Sequence, residues 1–168
     1  SSFIAPSLTW FGERATVTAS YSHRDYSAPF DRGTIFDLNT GHAVNVDRKT
    51  RFDEAFNITD GYSDLAQLNA EYRLNDAWTA RFDYSYSQDH YNDNQARVMA
   101  YDSATGNLTR RVDGTHGSTQ KMHSTRADLQ GNVVVGGFYN ELLTGVAYEN
   151  YDLLRTDMLR CKNVKGFN

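Results

Sequence analysis

Histidines are the side chains of this chain that could most readily bind a metal or transfer a proton. There are five of them: His23, His42, His90, His116 and His123. No two are spaced as a helical i, i+4 pair, and none combines with a cysteine at the spacing of a zinc site. We therefore expect no metal site and no cofactor.

Residues 87–90 (SQDH) contain the residue types of a hydrolytic triad. Adjacent side chains on a strand point to opposite faces, so Ser87, Asp89 and His90 cannot align as nucleophile, orienting group and base. The loop carboxylates also lack the spacing of a calcium-binding EF-hand. We predict that the chain is not an enzyme, with a hydrolase as the alternative.

Alternation of apolar and polar side chains is the strongest pattern in the sequence. From Ala15 to Tyr21, every second residue is apolar or aromatic and the residues between are Thr or Ser. Such a period of two is typical of a strand with two different faces. The same pattern recurs in residues 66–74, 78–87 and 126–135, and less regularly in residues 4–10 and 142–148. The sequence therefore predicts six strands and an all-β fold.

The connections between these strands alternate in length. Residues 11–13, 75–76 and 136–137 form short links that are rich in Gly, Asn and Asp, as tight hairpin turns require. Residues 27–61 and 88–118 form long connections without helical periodicity. Within the second one, residues 94–98 and 108–112 are expected to extend the flanking hairpin arms.

Short turns at one end and long loops at the other predict an antiparallel transmembrane β-barrel of the bacterial outer membrane. In such a barrel the apolar face contacts lipid and the polar face lines the interior. Aromatic residues lie near both predicted interfaces: Trp10, Tyr72, Trp78 and Phe138 near the short turns, and Tyr21, Tyr86 and Tyr148 near the loop ends. A soluble β-sandwich or lipocalin-like barrel is the alternative.

Composition excludes several other classes. The 168 residues are 39% hydrophobic and carry a formal net charge of −4, which disfavours nucleic acid as a partner. The longest aliphatic run, Val133 to Val135, is far shorter than the roughly 18 residues of a membrane helix. The lone Cys161 cannot form an internal disulfide. Since single-chain outer-membrane barrels begin at about eight strands, we interpret six as an internal segment of a larger barrel.

Several motifs, taken in order, resemble one family. Residues 3–10 (FIAPSLTW) and 16–21 (TVTASY) resemble the early barrel hairpin of TonB-dependent ferric-siderophore receptors of the ferrichrome-receptor type. The first long extracellular loop of these receptors is similar to residues 29–33 (PFDRG), 45–48 (NVDR) and 51–54 (RFDE) of this chain. Residues 72–79 (YRLNDAWT) and 143–148 (LTGVAY) resemble a periplasmic turn and a later strand, although Ala147 replaces the usual acidic residue.

The resemblance implies that residues 1–168 are part of one β-barrel domain, with about six of roughly 22 strands. The plug domain would lie outside this sequence. The implied function is TonB-dependent uptake of ferric siderophores by a monomer in the bacterial outer membrane. The implied partners are the ferric siderophore, the membrane lipid and, through the plug, TonB. A small OmpA-like structural or adhesive barrel is the alternative.

Ligand contacts are expected from aromatic faces and arginine donors at the mouth of the barrel. By resemblance, Phe30, Asp31 and Arg32 occupy the loop segment where related receptors contact their ligand. Tyr151, at the rim of the last strand, is a further candidate. For the aromatic candidates, anchoring at the membrane interface is the alternative role.

Three more candidates, Arg97, Met99 and Tyr101, lie near the ascending end of the fourth predicted strand. Several positions depart from the Tyr or Trp of ferrichrome receptors: Asp31, Gly33, Arg97 and Met99. These departures leave the identity of the siderophore open, and the resemblance does not establish ferrichrome as the ligand.

Overall fold

The computed structural model describes residues 1–31, 33–47, 49–154 and 158–160, and these form an all-β structure. Its strands form one open antiparallel sheet in the order β1-β3-β4-β5-β6-β7, with β2 also paired to β3 and β8 to β6. The strands are β1 (Ser2–Ile4), β2 (Ser7–Phe11), β3 (Ala15–Pro29), β4 (Ile58–Arg73), β5 (Trp78–Asp102), β6 (Asn107–Val135), β7 (Phe138–Leu154) and β8 (Met158–Arg160). Within the described ranges, no helix is long and apolar enough to cross a membrane.

The chain divides into two units. The first unit comprises Ser1–Asp25, Tyr62–His90 and Thr119–Leu154. The second comprises Tyr26–Gly61, Tyr91–Ser118 and the chain from Arg155, of which β8 is described.

The first predicted strand is divided at residues 5 and 6, because Pro6 has no N–H to donate to the ladder. Both pieces keep one register on β3, with Ile4 opposite His23 and Ser7 opposite Ser20. They therefore act as one interrupted strand. Counted separately, these two pieces and the added β8 give the sheet eight strands, where the alternation predicted six.

The three predicted short turns are confirmed at the expected places. Between β6 and β7, Gly136 and Gly137 have φ of 61° and 84°, the left-handed conformation that a tight hairpin requires. Between β4 and β5, the Asn75 side chain accepts hydrogen bonds from the Ala77 and Trp78 amides at 2.9 and 3.0 Å. At the β2–β3 turn, the Gly12 amide donates to the Ala15 carbonyl at 2.7 Å.

The two predicted long connections have different outcomes. The first is a loop of irregular structure between Pro29 and Ile58, in which Arg32 and Arg48 lie outside the described residues. The prediction of a second long loop at 88–118 is wrong, because β5 and β6 continue through it and meet at a turn of residues 103–106. β5 and β6 include residues 94–98 and 108–112, which agrees with the expectation that these residues extend the hairpin arms. Polar side chains on both faces hid the period of two there.

Large apolar side chains of the sheet are mostly exposed. In the part of the chain that the structure describes, Ala96 is the one buried hydrophobic residue, at 4% exposure. On β7, Val146 is 73% exposed and Leu143 62%. On β2, Leu8 is 76% exposed. In the first unit, apolar strand side chains such as these thus lie exposed instead of packed in a core.

Candidate functional site

A pocket of about 430 Å³ lies within the second unit, between the β3–β4 loop and β5. Its walls combine apolar side chains with carboxylates and one arginine. The lining residues are Asp31, Gly33, Thr34, Ile35, Phe36, Asp37, Leu38, Phe52, Asp53, Asn57, Ala96, Arg97, Val98, Met99 and Ala100. Such a mixture can cover an apolar surface of a ligand and still provide directional hydrogen bonds.

Asn57 joins the two walls of this pocket. Its side-chain amide donates to the Ala96 carbonyl at 2.9 Å, and its side-chain oxygen accepts from the Ala96 amide at 2.7 Å. The side chain therefore replaces a strand partner for β5. Asn57 is 4% exposed, and its own carbonyl accepts from the Phe30 amide at 2.8 Å.

Asp37 fastens the same loop to the β5–β6 turn. Its carboxylate accepts from the Ser103 hydroxyl at 2.8 Å, the Ser103 amide at 3.1 Å and the Thr40 hydroxyl at 3.0 Å. These hydrogen bonds, led by that of the Ser103 hydroxyl, lower the pKa of Asp37 to about 2 against the opposing effect of desolvation. The carboxylate is therefore ionised at neutral pH and holds the loop in place.

Asp102 adds a second attachment at this turn. It accepts from the Thr105 hydroxyl at 2.7 Å and from the Asn39 side chain at 2.6 Å. Both hydrogen bonds lower its pKa, that of Thr105 most strongly. Loop and turn are thus joined by two carboxylates, so the pocket wall at residues 33–38 is fixed at its end.

The cationic group of the pocket belongs to an ion-pair cluster. Arg97 Nε lies 2.9 Å from Asp113 Oδ2, and Arg111 Nε lies 2.9 Å from Asp113 Oδ1. The Asp113 side chain is only 9% exposed. On the loop wall, Asp53 forms an ion pair with Arg51, which raises the pKa of Arg51.

The structure brings most of the predicted ligand contacts into one unit. Asp31, Arg97 and Met99 line the pocket. Phe30 and Tyr101 border it through backbone hydrogen bonds, Phe30 to Asn57 and the Tyr101 carbonyl to the Leu38 amide at 2.8 Å.

Two predicted contacts are not placed in the pocket. Tyr151 lies on β7 opposite Met122, and it belongs to the first unit. Arg32 lies outside the described residues.

Three histidines of the first unit belong to a band of aromatic and polar side chains. His23 Nδ1 lies 2.7 Å from Asp64, and the ring of His90 stacks on Tyr62 at 5.0 Å. His123 Nδ1 lies 2.9 Å from the Tyr84 hydroxyl. Since His23 has the parity of Ala15, it shares the more apolar face of β3. Within the described ranges, no group of three or more His, Cys, Asp or Glu is arranged to hold a metal.

Sequence reasoning missed the residues that build the pocket. None of Asn57, Asp37 and Asp113 belongs to a motif that marks it as a site residue in the sequence. Their partners are 39 residues away for Asn57 and 66 for Asp37, so no local spacing could reveal them. A buried Asn or Asp in a polar loop has no sequence signature.

Comparison with models of known protein families finds no match to this chain. A search of curated proteins also finds none.

Proposed function

We propose that this chain forms part of the β-barrel of an outer-membrane receptor that takes up ferric siderophores with energy from TonB. The observation that carries this proposal is the exposure of the large apolar side chains of the strands, with Ala96 as the one buried hydrophobic residue within the described ranges. In water a sheet must bury its apolar face against a second layer. In an outer-membrane barrel, lipid covers that face instead.

The edges of the sheet support a larger barrel over a small closed one. β7 pairs with β6, and β1 and β2 pair with β3, but β7 is not paired with β1 or β2 in the described structure. Every residue of β7 is exposed. Further strands added at these edges would pair the free backbone groups, as barrel closure requires. A self-contained OmpA-like barrel would instead close within this chain.

The pocket supports a chelate as the ligand. A ferric chelate presents oxygen atoms and carbon surface around a metal that is already fully coordinated. Phe36 and Met99 offer carbon and sulfur surface, while Arg97 offers N–H donors. In this proposal the receptor binds the chelate as a whole and leaves the iron ligands in place.

A binding titration on the full-length protein tests the proposal. We would reconstitute the protein into lipid vesicles and titrate a neutral ferric tris-hydroxamate while recording intrinsic fluorescence. The variant Arg97→Gln should weaken binding by about tenfold, because it removes a charged hydrogen-bond donor. As a matched control, Asp47→Asn changes an exposed residue of the same unit and should leave binding unchanged.

The outcomes separate the proposals. Saturable binding that requires Arg97, in a protein extracted only with the outer membrane, supports a chelate receptor. Membrane insertion without binding of any ferric chelate would favour the structural or adhesive barrel. A full-length protein that is soluble without detergent would overturn both.

A further inference from the structure

Arg97, the arginine that lines the candidate pocket, is paired with the carboxylate of Asp113. Arg97 contributes to the pocket wall, and its Nε contacts Asp113 at 2.9 Å. The same carboxylate contacts Arg111 Nε at 2.9 and 3.1 Å. With side-chain exposures of 9% for Asp113 and 22% for Arg97, this pairing is shielded from bulk water. Water screens such a pair less than a surface pair.

This contact divides the guanidinium group into two functional parts. Its Nε faces Asp113, and the two terminal nitrogens carry the remaining four N–H donors. A ligand oxygen can accept from these donors while the positive charge of Arg97 is offset by the carboxylate. Because Asp113 is shared with Arg111, it offsets only part of the charge of the two arginines and weakens the attraction of Arg97 for an anion without abolishing it.

The other charged residues of the pocket also disfavour an anionic ligand. Asp31, Asp37 and Asp53 are also lining residues. Asp53 is paired with Arg51, whereas the hydrogen bonds that hold Asp37 come from hydroxyl and amide donors. An anionic ligand would meet these carboxylates, while an uncharged ligand would avoid the repulsion.

We propose that Asp113 is a positioning residue that, by pairing with Arg97, makes the pocket select uncharged oxygen-rich ligands over anionic ones. This inference rests on the proposed function, because it concerns the ligand of the same pocket. Asp113 does not contact the ligand. It determines which atoms of Arg97 are available and how much of the positive charge reaches the pocket.

Two probes of opposite character test this inference on the full-length protein in detergent. They are a ferric tris-hydroxamate, which is neutral, and a ferric tris-catecholate, which is triply anionic. The readout is the ratio of their affinities, obtained by fluorescence titration. Wild type should bind the neutral chelate more tightly.

Two substitutions should move this ratio in opposite directions. Asp113→Asn removes the compensating charge with little change of shape, so the ratio of anionic to neutral binding should rise about tenfold. Arg97→Gln leaves Asp113 without that cation, so the ratio should fall. In the double variant, the rise caused by Asp113→Asn should be absent, since it acts through Arg97.

A matched control excludes an effect of overall charge. Asp47→Asn makes the same chemical change at an exposed loop residue of the same unit, and its amide oxygen can still accept from the Lys49 amide. This variant should leave the ratio at the wild-type value. An equal shift in this control would overturn the assignment to Asp113.

The results also distinguish this inference from the proposed function. If wild type binds neither chelate, the receptor proposal fails and the inference falls with it. If wild type binds a chelate but Asp113→Asn lowers both affinities equally, Asp113 has only a structural role and the inference alone is overturned. If Asp113→Asn does not fold, Arg97→Gln decides, because an unchanged ratio in that variant contradicts the inference.

Discussion

The two units of this chain place their polar and apolar side chains in opposite ways. In the first unit, the large apolar residues of the strands are exposed, as with Val146 and Leu8. In the second unit, the buried residues are mainly polar, including Asp37, Asn57 and Asp113. The first unit thus leaves large apolar side chains outside its own packing, whereas the second is held by hydrogen bonds and ion pairs of its own.

This contrast separates two requirements within one sheet. Apolar strand faces are stabilised by whatever removes them from water, which the chain itself does not supply in the described residues. Buried polar groups are stabilised only if each finds its partner, because an unpaired one costs its full desolvation. Substitutions should therefore have effects of different size and kind in the two units.

The largest effect is expected from a charge on the apolar face of the first unit. Under the proposed function, Val146 faces lipid, and Val146→Arg should lower the free energy of unfolding in lipid by about 2–4 kcal/mol, the cost of an arginine at the bilayer midplane. Leu143 is the matched control, because it lies on the same strand with the opposite parity and is also exposed. Leu143→Arg should cost less than about 1 kcal/mol. The measurement is denaturant unfolding of the full-length protein in lipid vesicles.

An equal loss of unfolding free energy for Val146→Arg and Leu143→Arg would contradict a difference between the two faces of β7. If both change stability by less than about 0.5 kcal/mol, the face of Val146 is exposed to water as ordinary surface residues are.

An intermediate effect is expected at the buried amide of the second unit. Asn57→Ala removes both hydrogen bonds to Ala96 and should cost about 1–3 kcal/mol, because it leaves a buried amide and carbonyl without that partner. Asn69→Ala is the control in the first unit, where an exposed side chain donates to Asp83. It should cost less than about 0.5 kcal/mol. Hydrogen exchange at the Ala96 amide reports the loss directly, and unchanged exchange would show that the amide is protected by other contacts.

The smallest effect is the acid sensitivity of the loop attachment. The pKa of Asp37 is about 2 in the folded protein and 3.8 ordinarily, so its contribution to stability is present above about pH 4 and lost as the pH falls through about 2. The unfolding midpoint of wild type should therefore fall more between pH 5 and pH 2.5 than that of Asp37→Asn. Parallel falls in the two proteins would show that Asp37 does not hold the loop. The pKa of Asp102 is also lowered, first by the hydrogen bond from the Thr105 hydroxyl, and Asp102→Asn tests how much Asp102 contributes to this acid sensitivity.

Much of the fold follows from local sequence. The alternation of Ala15, Val17 and Ala19 with threonines determines a two-faced strand, because the side-chain period of a strand is two whatever its neighbours are. Gly136 and Gly137 determine a hairpin, since few other residues adopt their positive φ. Pro6 interrupts the first strand because it lacks an N–H.

The arms at residues 88–118 show where local sequence was insufficient. Their backbone ladder forms although side chains on both faces are polar, so no apolar face marks them as strands. Cross-strand partners such as Arg97 and Asp113 compensate the polar side chains. Such pairs become visible only when the register of the two strands is known.

The all-β character, the tight turns and the two-faced strands follow from the sequence alone, because each depends on residues a few positions apart. The pocket instead depends on the folded chain. Asn57 meets Ala96, and Asp37 meets Ser103, across 39 and 66 residues. These polar contacts depend on how the chain returns to itself, and polar residues in a loop look alike in sequence whether they are buried or solvated.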